Sequence, residues 1–389
     1  MPQVRALLFE QINFSMLLNS LRPLTVIAGE NGSGKSRALR CLTLEAVEQR
    51  KKVIAVASSA YHRFSGMGRR CKVLAPKRAG SAPEKVLKKA IRNAQSNDEI
   101  QLRSISRVLR HCNYSPAIGF KVEPLKMPIL RHLRDRIESA ARIKGQNPEE
   151  LEAAIFMLSS VDALEPEWIN FDGISFDISR EKNFSRLLFW EEELVDLGAI
   201  KPIKIFLKDF EKQIALREAS SGELSLITSM AFIATTISGI DLLLIDEPEN
   251  SLHPQWQRDY IDILAGVIGY SGVKIVVATH SPILVVGLES SDIESEIFVL
   301  SKMMHAIENV DGSGLEEVMA KVFMTITPKN HFLSEKLVSI LDRLEDGRIK
   351  LAGAVRELQD LKATGLDQQQ RTAVELVDKM ARSIAGDKV

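Results

Sequence analysis

Cysteine is the first scarcity: three in 389 residues (Cys41, Cys71 and Cys112), with no two in a C-x-x-C spacing. That excludes a disulfide framework and a zinc site built on cysteine pairs, and it fits a reducing compartment. Aromatics are sparse at 6%, and no internal repeat or low-complexity tract is present, so nothing points to a solenoid or a polar disordered chain. The opening residues, Met1 to Ala6, lack the apolar core of a signal peptide. The longest apolar stretch, Ile227 to Ile245, is interrupted by Thr228, Ser229, Thr235, Thr236, Ser238, Gly239 and Asp241. It therefore reads as a buried helix followed by a strand, not as a membrane span. The expectation is a cytoplasmic protein with no membrane attachment. Its length allows two domains or one large domain with insertions.

Net charge is also absent, but the zero hides a segregation. Between Arg63 and Lys144 twenty basic residues meet six acidic ones, and the rest of the chain carries the opposite excess of fourteen. Segregation of this size is a partner signal.

Pro23 to Ala28 is an apolar run leading straight into a glycine loop; 36–50 has helical spacing (Leu39, Leu42, Leu44, Val47), and Val53 to Ala57 is a second buried strand. Residues 3–10 and 12–18 also read as strands. Gly66, Gly68, Pro76, Gly80 and Pro83 then punctuate a basic loop, followed by helical stretches at 84–110, 128–144 and 148–160. Strand patterns resume near 174–176 and 203–207, and buried strands at 242–245 and 274–278. Beyond Gly314 the pattern is helical, with Leu333, Leu337, Ile340, Leu341 and Leu344 on one face. Four segments follow: 1–64 and 169–312 as two parts of one nucleotide-binding domain, 65–168 as a basic helical insertion, and 313–389 as a helical tail.

Four motifs carry chemistry. Gly29-Glu30-Asn31-Gly32-Ser33-Gly34-Lys35-Ser36 fits G-x-x-x-x-G-K-S, whose glycines let backbone N–H groups face phosphate oxygens at a helix N-terminus. Lys35 would reach the β- and γ-phosphates and Ser36 would ligate Mg²⁺. Leu242 to Ile245 ends in Asp246-Glu247: Asp246 would hold Mg²⁺ through water, and Glu247 would act as general base on the attacking water. Ser220-Ser221-Gly222-Glu223 opens a helix 24 residues before Asp246 (counted from Gly222); by itself Ser220 with Glu223 is an ordinary capping box, and in ABC-type ATPases, which this order of motifs resembles, a similar segment caps a γ-phosphate. His280 ends an apolar run 34 residues after Asp246, where it could sense the γ-phosphate or serve the structure alone.

The order of these motifs resembles the ABC ATPase superfamily. The run Asp246-Glu247-Pro248-Glu249-Asn250-Ser251-Leu252-His253-Pro254 is similar to the RecF/OLD-like AAA (SMC-related) group rather than to transporter cassettes. The stretch from Val53 to Phe64 and the helical tail resemble ATPases of antiphage systems such as Septu. The resemblance to the ABC ATPase superfamily covers 1–64 and 170–312. It implies an α/β, ABC-type P-loop domain with the basic insertion and helical tail, and Mg·ATP sandwiched between two copies. One chain would give Lys35, Ser36 and Asp246, and the other Ser220, Ser221 and Gly222. The glutamine such proteins place before the inserted lobe is missing, since none lies between Gln49 and Gln95. Phe14 is the candidate for adenine stacking.

The basic segment 65–144 suggests nucleic-acid contact, the alternative being a solvated or protein-facing surface. The tail lacks the acidic cluster of a metal-dependent nuclease, so any effector (nuclease or toxin) would be a separate protein. The expected function is an ATP-gated homodimer or larger homo-oligomer in antiphage defence, with a RecF-like repair ATPase or a non-hydrolysing scaffold as rivals.

Overall fold

The computed structural model describes residues 18, 20–59, 62–75, 82–94, 99–125, 133–158, 165–172, 186–209, 212–269, 271–288, 291–300, 307–309, 331–362, 371, 374–375 and 377–382. The strands expected at 3–10 and 174–176, that at 12–18 save Leu18, and Phe14 lie outside them. The chain forms two compact units, one of Met1–Leu42 with Ile275–Val389 and one of Thr43–Lys274.

In the first unit, β1 (Leu24–Ala28) is buried along its whole length. It runs parallel to β10 (Ser295–Leu300) on one side and to β9 (Lys274–Thr279) on the other. A strand enclosed by parallel neighbours buries both faces, which is why Leu-Thr-Val-Ile-Ala does not alternate. β11 (Ile307–Asn309) closes the edge antiparallel to β10. Helix α1 (Lys35–Glu48), which crosses the unit boundary, buries Ala38, Leu39, Leu42 and Ala46 on one face. In the tail, α11 (His331–Glu345) and α12 (Leu351–Lys362) share a small core of Leu333, Leu337, Ile340, Leu344, Ala354 and Leu358, joined by Val374 and Ala381.

The second unit holds a parallel group in the order β8 (Leu242–Asp246), β2 (Val53–Ala57), β3 (Cys71–Leu74). A separate antiparallel sheet runs β5 (Glu167–Asn170), β4 (Ala117–Lys121), β6 (Lys204–Lys208), β7 (Gln213–Ala215). The expected helix at 84–110 is two helices, α2 (Ala82–Ala94) and α3 (Glu99–His111). A hairpin of α4 (Leu133–Lys144) and α5 (Pro148–Met157) follows, then α6 (Glu191–Asp196). Both α2 and α3 pack on α7 (Ser221–Thr236), which is apolar all round and buried accordingly. Short helices α8 (Pro254–Arg258) and α9 (Tyr260–Ile268) complete this unit, and α10 (Pro282–Gly287) belongs to the first. Among the described residues no helix is long and apolar enough to cross a membrane.

Candidate functional site

In the first unit β1 and β9 end together, with Ala28 opposite Thr279. The Gly29 N–H donates to the Thr279 carbonyl at 3.2 Å, so the glycine loop leaves the sheet beside the residue that precedes His280. A Cβ on Gly29 would lie 2.5 Å from the Leu300 carbonyl oxygen and 2.8 Å from Ser33 Oγ, so only glycine allows this close approach. Gly32 (φ 80°) and Gly34 (φ 106°) turn the loop through left-handed backbone. The Ser33 N–H is tied back to Glu30 O at 3.2 Å, and the Arg37 and Ala38 N–H groups both reach Gly34 O at 2.9 Å.

Lys35 is 3% exposed, and its ammonium donates to the carbonyls of Gly29 (2.9 Å) and Glu30 (3.0 Å), holding a positive charge across the loop. Ser33 Oγ is buried with no hydrogen-bond partner among the described residues. α1 begins at Lys35, so the positive end of the helix dipole lies beside the loop. A caged ammonium, a buried unused hydroxyl and a helix N-terminus suit a phosphate chain. His280 follows β9 and is half-buried; the flanking Thr279 Oγ1 accepts the Ser281 N–H at 2.9 Å, and Ser281 caps α10 by accepting the Leu284 N–H at 3.2 Å. The backbone on both sides of His280 is therefore pinned.

In the second unit Asp246 ends β8 at 6% exposure, and its carbonyl accepts the Ser58 N–H at the end of β2 (3.3 Å). Glu247 takes φ 51°, unusual for a residue with a side chain, and Ser251 takes φ 69°. The turn between them is closed by Asn250 N–H to Glu247 O (3.2 Å) and Leu252 N–H to Glu249 O (3.0 Å). Asn250 Nδ2 also donates to Glu247 Oε2 at 3.1 Å, fixing the carboxylate that the sequence pattern marks as the base. In the sequence Asn250 stands out only as part of a longer motif. Its bond to Glu247, three residues back across a left-handed turn, has no sequence signature.

Ser220 caps α7 in a full capping box: its Oγ accepts the Glu223 N–H at 3.3 Å, and the Glu223 carboxylate accepts the Ser220 N–H at 2.7 Å. Ser220 and Ser221 are exposed, while Gly222 is buried. A Cβ on Gly222 would stand 2.5 Å from Ser251 O and 3.3 Å from the Trp256 ring, so the first turn of α7 rests directly on the turn after Glu247. The capping role is thus realised, and it leaves both serines facing outward. Tyr114, from the basic segment, lies against Glu223; burial and that carboxylate push the phenol pKa well up. Burial, with Glu223 adding to it, pushes the Cys112 thiol up to about 12.

The family described as “AAA domain, putative AbiEii toxin, Type IV TA system” matches residues 130–286, which include Ser220, Asp246, Glu247 and His280 but not the glycine loop. The chain is similar to “Retron Vc95 probable ATPase” of Vibrio cholerae serotype O1 biovar El Tor, 23% identical over 165 residues, covering 39% of this chain. The match spans about a third of that relative's length, at 31%. Among solved structures, the Smc head domain with an extended coiled coil bound to the C-terminal domain of ScpA, from Pyrococcus furiosus, aligns with 63% of this chain and 61% of that one. Its TM-score of 0.24 at 13% identity is too slight to bear on the argument. The parallel strands, the glycine loop at the end of β1 and the AAA match make this an α/β P-loop NTPase fold, and the similarities support an ATPase of that class.

Proposed function

We propose that the chain is a Mg·ATP-dependent ATPase that works as a dimerising switch, with nucleic acid as its signal and a separate effector protein as its output. In this reading Lys35 neutralises the β- and γ-phosphates. Ser36 and Asp246 would hold Mg²⁺, which would supply charge neutralisation at the transferring phosphoryl group. Glu247, held by Asn250, takes the proton of the attacking water, and His280 donates to the γ-phosphate and registers its loss. Ser220, Ser221 and Gly222 serve the nucleotide of the opposite copy, to which the two exposed serines are available. Differential contacts made by ATP favour the closed pair, and hydrolysis removes them. Antiphage defence is the biological setting we favour, in line with the similarity to the protein named Retron Vc95 probable ATPase.

The observation that carries most weight is the loop itself: Lys35 held across it by two carbonyls, with a buried Ser33 hydroxyl and a helix N-terminus beside it. Sharing of sites between copies is tested by mixing two inactive variants, Lys35→Ala and Ser220→Arg. In a two-fold dimer half of the pairs are mixed and each mixed pair has one intact site, so about a quarter of wild-type turnover should return. No recovery on mixing, from variants that each pair normally, would refute a shared site.

A further inference from the structure

The second unit contains a cleft of about 900 Å³ walled by α2, the end of α4 and the Leu188–Asp196 stretch. Its lining carries six cations (Lys85, Lys88, Lys89, Arg92, Lys144, Arg217) and four carboxylates (Glu84, Glu191, Glu192, Asp196). The cations on α2 fall at i, i+3, i+4 and i+7, so they form one stripe along a helix face, about 10 Å long at 1.5 Å per residue.

Two of the four carboxylates in the lining are held by cations of the same cleft. Glu191 holds Lys88 at 2.5 Å and accepts the Ile203 N–H at 2.9 Å; Glu84 takes Arg217 through two bonds of 2.9 Å. Lys144 is held by Glu193 at 2.6 Å and by the Phe189 carbonyl at 2.8 Å. These pairs fix the walls. Lys85, Lys89 and Arg92 have no carboxylate partner among the described residues, while Glu192 and Asp196 also line the cleft. Arg92 stands 5.6 Å from the Phe189 ring centroid and Lys144 stands 4.6 Å from it, so the ring orients two cations.

We infer that this cleft is the phosphodiester-binding site of the protein, taking the backbone of a nucleic acid with Lys85, Lys89 and Arg92 as its contacts. The inference rests on the nucleic-acid part of the proposed function and gives it a place. Lysine and arginine offer only donors, and phosphodiester oxygens are only acceptors. The stripe lies within the segment of strongest positive excess, which suits a long polymer of uniform charge better than an acidic peptide of mixed side chains. Phe189 is taken up in cation–π contacts, so readout is of backbone and independent of sequence.

The test is fluorescence anisotropy on the full chain, with a labelled 20-nucleotide single strand, the matching duplex and poly-glutamate as probes between 50 and 200 mM salt. Lys89→Glu/Arg92→Glu should weaken nucleic-acid binding at least tenfold and lower the salt slope by about two. Arg69→Glu/Lys72→Glu, of equal charge change in the same basic segment but outside the cleft, should stay within about twofold of wild type. Lys89→Gln/Arg92→Gln should fall between and guards against a reversal that merely unfolds the unit. Wild-type binding that both reversals weaken equally, or that the cleft reversal spares, would overturn the cleft assignment alone. Failure of the wild type to bind either nucleic acid would overturn the nucleic-acid reading, and cleft-dependent capture of poly-glutamate instead would point to an acidic protein.

Discussion

Gly222→Ala separates a glycine needed for packing from one that merely sits in a helix. In an ordinary helical position this change is favourable by up to about 1 kcal/mol, because alanine restricts the unfolded chain and has the better propensity. Here the new methyl would stand 2.5 Å from Ser251 O, nearly 1 Å inside ordinary contact, with the Trp256 ring at 3.3 Å. The obstructing atom is backbone and cannot rotate away. Ser251 is already in a left-handed conformation, and Leu252 N–H is bonded to Glu249 O, so the turn must shift as a whole. Overpacking of this kind costs about 1–3 kcal/mol. Taking the upper part of that range against the propensity gain leaves a net loss of about 2 kcal/mol, or roughly 4–8 °C in Tm for a unit of this size. Turnover should fall further than stability, because the same turn carries Asn250 and through it Glu247. Thermal unfolding and steady-state ATP hydrolysis on one preparation measure both. A variant as stable as wild type or more so, with unchanged turnover, would refute the packing argument.

Two other perturbations probe separate parts of the chain. Asn250→Ala removes the 3.1 Å bond to Glu247. A bond to a charged group is worth about 1.5–3 kcal/mol, so kcat should drop about 10- to 100-fold with KM for ATP near its wild-type value. Asn250→Asp should be slower still, since it sets two carboxylates together. Glu123 bridges Lys201 and Lys204 at 2.8 Å each, which pulls its carboxyl down to about 2. A folded pKa below the unfolded value of about 4.3 means stabilisation present above pH 4.3 and lost as the pH falls toward 2. The Tm advantage of wild type over Glu123→Gln should therefore be small and steady at neutral pH and vanish across that acid window, as calorimetry at a series of pH values would show.

The parts of the fold legible in the sequence were those in which local chemistry and tertiary role coincide. Leu24 to Ala28 could be read as a buried strand because both its faces are enclosed, and Gly32 and Gly34 as loop glycines because left-handed backbone is needed there. The spacing of Leu333, Leu337, Ile340 and Leu344 similarly foretold the face that α11 buries. The antiparallel sheet of β4 to β7 was largely missed: Ala-Ile-Gly-Phe-Lys and Glu-Trp-Ile-Asn are short, and their pairing depends on partners far away in the chain. Of that sheet only the β6 pattern, Lys204 to Leu207, alternated clearly enough to read. At the candidate site, residue types marked Lys35, Asp246, Glu247 and His280. The left-handed turn that aims Glu247, and the contact between Gly222 and Ser251, follow from three-dimensional closeness, which spacing does not encode.

The central claim, that this P-loop chain hydrolyses ATP with Glu247 as base, is tested most directly by comparing steady-state ATP turnover of the wild type with that of Glu247→Gln. The substitution keeps the shape of the side chain and removes its basicity. Loss of a general base predicts hydrolysis slowed by about 100-fold or more while ATP still binds, together with a dimer that persists in ATP on size-exclusion light scattering. Turnover equal to wild type in Glu247→Gln would contradict the account.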